Sequence, residues 1–142
     1  MRKINNAGLE LLKSFEQCRL NAYQDSGGIW TVGWGHTGPE VVGGMTLNQL
    51  QADLIFEKDL EKFYHLDEYL SEQVNENQYS ALVCLVFNIG LRALKLSQVM
   101  KKVNAGENPS KEWMGWNHVN GIPNIGLTRR RSAELELYNE IG

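Results

Sequence analysis

The chain is short of the features that would make a small protein depend on anything beyond packing. Its 142 residues include two cysteines and three histidines. No His or Cys recurs at ligand spacing around another, which excludes a cysteine-histidine metal centre and leaves no cofactor implied. Cys18 and Cys84 lie among apolar neighbours and read as buried free thiols, with a disulfide as the alternative. The longest apolar run, Ala81 to Phe87, is far too short to span a bilayer, so no stable membrane insertion is expected. The start, Met1-Arg2-Lys3-Ile4-Asn5-Asn6, leads to Glu10 and Lys13 rather than to an apolar signal core. Positive charge is also scarce. A net charge of −3 argues against a nucleic-acid partner, whose affinity would rest on phosphate neutralisation. Internal repeats, low-complexity tracts and flexible linkers are missing as well.

What is present suits a globular protein: 42% hydrophobic and 22% charged residues. A chain of this size buries about 70% of the surface its unfolded form exposes, enough to fold without metal or disulfide. Leu11, Leu12, Phe15 and Cys18 recur at helical spacing and predict a helix near residues 5 to 17, capped by Asn5 or Asn6. From Leu20 to Thr37 the sequence turns to Tyr, Ile, Trp, Thr and Val among glycines, the pattern of a small antiparallel sheet turning at Asp25-Ser26-Gly27-Gly28. A period of two puts Ile29 and Thr31 on one face and Trp30, Val32 and Trp34 on the other.

Beyond a loop at Gly38-Pro39 and Gly43-Gly44, Thr46-Leu47-Asn48-Gln49 reads as a capping box opening a helix to about Tyr64. Asn75 with Gln78 opens the helix expected to be most buried. Ser97 caps a short helix that stops at Gly106, residues 110 to 118 read as helix, Gly121 to Gly126 as loop, and 127 to 140 as a last helix. The order implies an α+β fold with a minority sheet, and two lobes with a groove between them for a long substrate.

Glu16, Asp25 and Thr31 stand with eight and then five residues between them. Glycosidic hydrolysis needs a proton donor for the leaving oxygen and a second group for water or the sugar cation. Glu16 ends the first helix, where the macrodipole disfavours a carboxylate and favours the protonated acid. Asp25 lies in a Gly-rich turn whose N–H groups keep a carboxylate ionised, and Thr31 offers a hydroxyl to hold water beside it. Two carboxyls in opposed environments fit an acid/base division of labour. Plainer roles are open too: a surface acid, an Asx-turn and an ordinary strand threonine. The run Arg129-Arg130-Arg131 reads either as a solvated helix face with a pair to Glu134 or as functional.

The stretch from Phe15 to Thr37, F-E-x-C-R-L-x-A-Y-x-D-x-x-G-x-W-T-x-G-W-G-H-T, closely resembles the signature of the phage-type lysozymes, the endolysins related to T4 lysozyme. The resemblance continues, in order, through Phe87-Asn88-Ile89-Gly90, Ser97 with Asn104-Ala105-Gly106, and Gly126-Leu127-Thr128-Arg129-Arg130-Arg131-Ser132-Ala133-Glu134. It implies a single lysozyme-like domain over residues 1–142. An N-terminal lobe near 15–60 would carry the sheet, and a helical lobe near 70–142 would include the first helix. It further implies a muramidase that cuts the β-1,4 bond between N-acetylmuramic acid and N-acetylglucosamine in bacterial peptidoglycan. Glu16 would be the general acid, with Asp25 and Thr31 activating water for inversion. His36, Asn88 and Arg130 would support the site or the substrate. An ion pair from His36 to Asp59 and a reach of Arg130 or Arg129 to Glu16 are further expectations, a solvated, capped His36 being the plainer alternative.

The implied setting is a monomeric endolysin held in the host cytoplasm until a holin opens the way to the wall. A secreted antibacterial effector, a lytic transglycosylase and an inactive wall-binding module are the alternatives. Two departures from the family pattern stand out. Gln17 replaces the glycine that follows the acid in many relatives, which predicts a strained or displaced helix end. Gly121-Ile122-Pro123-Asn124-Ile125 replaces a Gly-Gly-Lys type of loop. Trp30, Trp34, Trp113 and Trp116 read for the most part as buried core, with sugar stacking as the alternative.

Overall fold

A computed structural model describes residues 2–71 and 73–140. The chain divides into two compact units, one spanning Lys13–Lys62 and the other formed by the residues through Leu12 together with those from Phe63 onward.

In the Lys13–Lys62 unit, helix α1 (Asn6–Phe15) delivers its last turn, and two antiparallel strands follow, β1 (Arg19–Gln24) and β2 (Trp30–Gly33). Tyr23 pairs with Thr31 and Gln24 with Trp30. The segment around Thr46 runs alongside β1, with Ala22 N–H donating to the Met45 carbonyl at 2.9 Å and Leu47 N–H to that of Leu20 at 2.8 Å. Thr31, Val32 and Gly33 are all buried, so burial does not alternate along β2 as the period of two predicts. Gly33 lies close under Leu47 and Ala52, which covers a position that alternation would leave open. Trp34 falls outside the strand, in a tight turn that returns His36 N–H to the Val32 carbonyl.

Helix α2 (Gln49–Leu60) opens on a capping box formed by Asn48 and Gln51, two residues later than the Thr46 start expected from sequence. Thr46 pairs with β1 instead, which removes it from any helical cap. The helix also ends sooner than expected, passing into a 3₁₀ helix over Glu61–Tyr69.

The other unit is built on α3 (Glu76–Ile89), whose Asn75/Gln78 capping box matches the sequence reading. Every residue from Tyr79 to Val86 is buried. The start of α1 docks on it through Asn5, which caps α1 by accepting from Gly8 N–H at 2.9 Å. Asn5 also donates its own N–H to Ser80 Oγ at 2.9 Å and its amide to Asn77 Oδ1. Gly8 makes this approach possible: a Cβ there would lie 2.6 Å from Ser80 Cβ and 2.8 Å from Ile4 Cγ1. Short helices α4 (Leu91–Lys95), α5 (Gln98–Asn104) and α6 (Ser110–Met114) follow. Ser97 caps α5 as expected, and Gly106 closes its end, with Glu107 N–H reaching back to the Lys102 carbonyl.

Two expectations fail beyond α6. The helix stops at Met114, before Trp116, and the expected loop is instead a hairpin of β3 (His118–Val119) and β4 (Ile122–Pro123). Its turn residues, Asn120 and Gly121, both have positive φ, at 52° and 78°. An Asn-Gly pair is the preferred sequence for that mirror-image turn. Helix α7 (Ile125–Tyr138) is capped by Asn124.

Arg130, Arg131 and Glu134 are buried in this unit, which rules out the solvated-face reading for two of the three arginines while realising the pair to Glu134. Glu134 Oε2 accepts from Arg130 Nε at 3.1 Å and from an Arg131 terminal nitrogen at 3.2 Å. Oε1 accepts from the Trp113 indole at 3.1 Å, and Arg131 Nε lies 2.8 Å from it, off the hydrogen-bond axis. Burial raises the Glu134 carboxyl and lowers the Arg131 guanidinium. Their mutual attraction opposes both shifts.

Among the four tryptophans only Trp113 is fully buried. Trp30 is 36% exposed, and Trp34 and Trp116 are half-buried, so the expectation of a mostly buried set is corrected. The aromatic ring of Trp30 lies over Gly43 in a short loop rather than inside a core. Both cysteines are free thiols, Cys84 buried and Cys18 half-buried. Burial pushes the Cys84 thiol well above its usual range.

Replacing Gly8 by alanine should force α1 off α3. Overpacking of this kind costs about 1–3 kcal/mol, and a denaturation midpoint unchanged in Gly8→Ala would show that the approach is not tight.

Candidate active site

Asp25 closes the β1–β2 hairpin. Its Oδ1 accepts from Gly27 N–H at 2.8 Å and from Ile29 N–H at 2.9 Å. Its backbone carbonyl accepts from Gly28 N–H, and its own N–H donates to the Ile29 carbonyl at 2.9 Å. The turn needs a left-handed residue to rejoin β2, and Gly28 supplies it at φ 79°. The Asx-turn expected as the plain role of Asp25 is therefore present, and it uses one carboxylate oxygen. Asp25 is exposed, and Oδ2 accepts no hydrogen bond among the described residues.

Thr31 is 4% exposed, and its Oγ1 donates to the Ile29 carbonyl at 3.0 Å. Ile29 thus joins the two residues: its N–H binds the Asp25 side chain, and its C=O receives both the Asp25 N–H and the Thr31 hydroxyl. Since that hydroxyl proton is committed, Thr31 Oγ1 presents lone pairs to any further partner. Glu16 belongs to the same unit. It is half-buried and follows directly on Phe15, the last residue of α1.

His36 is held from both sides. Its Nδ1 lies 2.7 Å from Asp59 Oδ2 on α2, the partner expected from sequence, and Nε2 lies 2.6 Å from Glu40 Oε1. The plain reading of a solvated histidine is thereby excluded. Glu40 was not singled out from the sequence; the signal available was its i, i+4 spacing from His36, which is ambiguous in a Gly-Pro loop. Burial lowers the affinity of His36 for its proton, but the hydrogen bonds to Glu40 and Asp59 and their charges outweigh it. The net effect raises His36 above its ordinary value of 6.5. The bond from His36 lowers the Glu40 carboxyl.

Asn88 and Arg130 lie in the other unit. Asn88 is exposed near the end of α3 and lines a cavity of about 450 Å³ with Ile89, Gly115, Trp116, His118 and Leu127. Arg130 is buried beside Glu134 and donates to the Cys84 carbonyl at 3.0 Å. Among the described residues no group of three His, Cys, Asp or Glu side chains is placed to hold a metal ion. No described helix is long and apolar enough to cross a membrane.

Because protonated His36 is the form that both carboxylates favour, its contribution to stability is complete below pH 6.5 and fades as pH rises through the raised value. The Glu40 part is lost in the other direction, as pH falls through that group's lowered value. His36→Asn should therefore destabilise most near pH 5.5, by about 1 kcal/mol for a partly exposed pair. Melting curves of both proteins should converge towards pH 9, and a gap that does not change with pH would refute the charged pair.

Residues 13–134 match the family model for phage lysozyme. The chain is 39% identical to an endolysin of Acyrthosiphon pisum secondary endosymbiont phage 1, over 95% of this chain and 97% of that protein. It is 34% identical to an endolysin of Bacillus phage B103 over 95% of its own length, yet spans only 53% of that protein. The muramidase domain of SpmX from Asticaccaulis excentricus superposes with a TM-score of 0.91 at 32% identity, covering 99% of this chain and 100% of that one.

Proposed function

The chain belongs to the phage lysozyme family, and from that premise we propose that it is a peptidoglycan hydrolase of host-cell lysis that works as a muramidase. The bond cut is the β-1,4 link from N-acetylmuramic acid to N-acetylglucosamine. The observation that carries the reading is the tie of Asp25 and Thr31 through Ile29, in the same unit as Glu16.

In this reading Glu16 protonates the leaving glycosidic oxygen. A water donates one proton to Asp25 Oδ2, the oxygen that the hairpin leaves open, and the other to the lone pairs of Thr31 Oγ1. Its own lone pair then points away from both, towards the anomeric carbon. Attack opposite the leaving group gives inversion and requires about 6.5–9.5 Å between the two carboxyl groups, room for that water. The pairing is prearranged by backbone hydrogen bonds, so little reorganisation accompanies the reaction. His36 supports the sheet through Asp59 and Glu40. Asn88 and Arg130 are supporting residues of the other unit. The setting we propose is a monomer stored in the host cytoplasm and released to the wall through a holin.

Glu16→Gln should lower hydrolysis of purified peptidoglycan by at least about 100-fold, the usual worth of a general acid. Asp25→Asn should do the same while keeping the hairpin, because the amide oxygen still accepts from Gly27 and Ile29. Hydrolysis by Glu16→Gln at the wild-type rate would refute the acid assignment. Anhydro-muramic ends in the wild-type product would identify a transglycosylase. Binding of wall without cleavage by wild type would identify a binding module.

A further inference from the structure

The segment that carries Glu16 is bracketed from a single face of α2. Three residues before Glu16, in the last turn of α1, Lys13 Nζ lies 3.8 Å from Asp53 Oδ1 and 5.5 Å from the centre of the Trp34 ring. Two residues after it, Cys18 Sγ accepts from Gln49 Nε2 at 3.7 Å. Gln49 also donates to Asp53 Oδ1, at 3.0 Å. The same oxygen accepts the Trp34 indole N–H at 2.8 Å. Trp34 follows Thr31 by three residues, and its ring stacks on Phe56 of α2 at 5.4 Å and 25°. One carboxylate oxygen therefore meets Lys13 and the Trp34 indole directly and Cys18 through Gln49, linking the residues before and after Glu16 to the turn that follows the strand of Thr31. Asp53 is held low by the indole bond first and, with burial opposing, by Gln49 and Lys13.

We propose that Asp53, with Gln49, Lys13 and Trp34, is a positioning cluster that sets the Glu16 segment in register with the strand carrying Thr31. The idea rests on the catalytic reading of Glu16 and Thr31. The Lys13 and Asp53 side chains are 28% and 36% exposed, and surface pairs of that kind contribute little to stability. Their value lies in geometry, since a shift of about 1 Å in a catalytic group can cost about 100-fold in rate. A merely structural cluster would show the opposite balance, with stability lost and the rate per folded molecule retained.

The test uses Asp53→Ala, Gln49→Met and Asp53→Asn in the full chain, with soluble peptidoglycan oligomers as substrate. Asp53→Ala should lower kcat about tenfold with KM unchanged and the melting temperature within a few degrees of wild type. Asp53→Asn, which keeps an oxygen for the indole and for Gln49, should recover most of that loss. Gln49→Met should lower kcat in the same sense, in case Asp53→Ala folds poorly. Amide exchange at Gln17 and Cys18 should quicken in both damaged variants, a readout that does not depend on turnover. If wild type fails to hydrolyse the substrate, the muramidase reading falls while the exchange data still judge the bracket. Exchange unchanged in Asp53→Ala, or kcat within twofold of wild type, would overturn the proposal.

Discussion

The paired hydrogen bonds of Ile29 are the constraint on which the rest of the site depends. A residue has one backbone N–H and one C=O to give, and both of Ile29's, just before β2, are spent on Asp25 and Thr31. The relative placement of a carboxylate and a hydroxyl is thus set by seven consecutive residues and not by distant packing. Gly28 is part of the same constraint, because its φ of 79° would strain any residue with a Cβ. The carboxylate is asymmetric as a result. One oxygen is a structural acceptor and the other accepts no hydrogen bond among the described residues, so the side chain closes a turn with half of its carboxylate.

The second unit solves a different problem, a carboxylate shut away from water. Glu134 is 0% exposed and meets the guanidiniums of Arg130 and Arg131 and the indole of Trp113. Removing such charges from water is costly, and their attraction offsets that cost only when the remaining donors are also satisfied. Arg131 reaches the Trp116 carbonyl and Arg130 that of Cys84, which ties α7 to α3 and to the segment after α6. The three charged residues all lie on α7, so turning the helix would keep their ion pairs but lose the bonds to the Trp113 indole and to the Cys84 and Trp116 carbonyls. Beside it Cys84 donates weakly to the Gly8 carbonyl at 3.3 Å and behaves as a small apolar residue.

The parts of this architecture that could be read from sequence are those whose chemistry is local. The Asn75/Gln78 box, the Ser97 cap, the Asp25 turn and the stop at Gly106 each involve side chains within a few residues of the groups they satisfy. The displaced start of α2 shows where that logic breaks. Thr46 and Asn48 are both fit to cap, and the choice is made by β1, which takes Thr46 as a strand neighbour. The Arg run is legible only in part: the pair to Glu134 follows from spacing along α7, whereas the burial of Arg130 and Arg131 goes with Trp113 of α6, which lies far off in sequence. The β3–β4 hairpin is different, since Asn120-Gly121 is a strong turn signal. Its strands of two residues each carry no period that would mark them as strands.

Gln17 brings these strands of reasoning together. Without the glycine found in many relatives, a strained helix end is the natural expectation. Yet Asn120 is the one non-glycine with positive φ among the described residues, so Gln17 bears no left-handed strain. Helix α1 ends at Phe15, and the chain is back in a strand by Arg19. A left-handed residue is useful where a helix must turn its last carbonyls onto its own chain. Here the chain bends at Glu16 and enters β1 at Arg19 without one. On either side of Glu16, Lys13 and Cys18 each meet a side chain of α2.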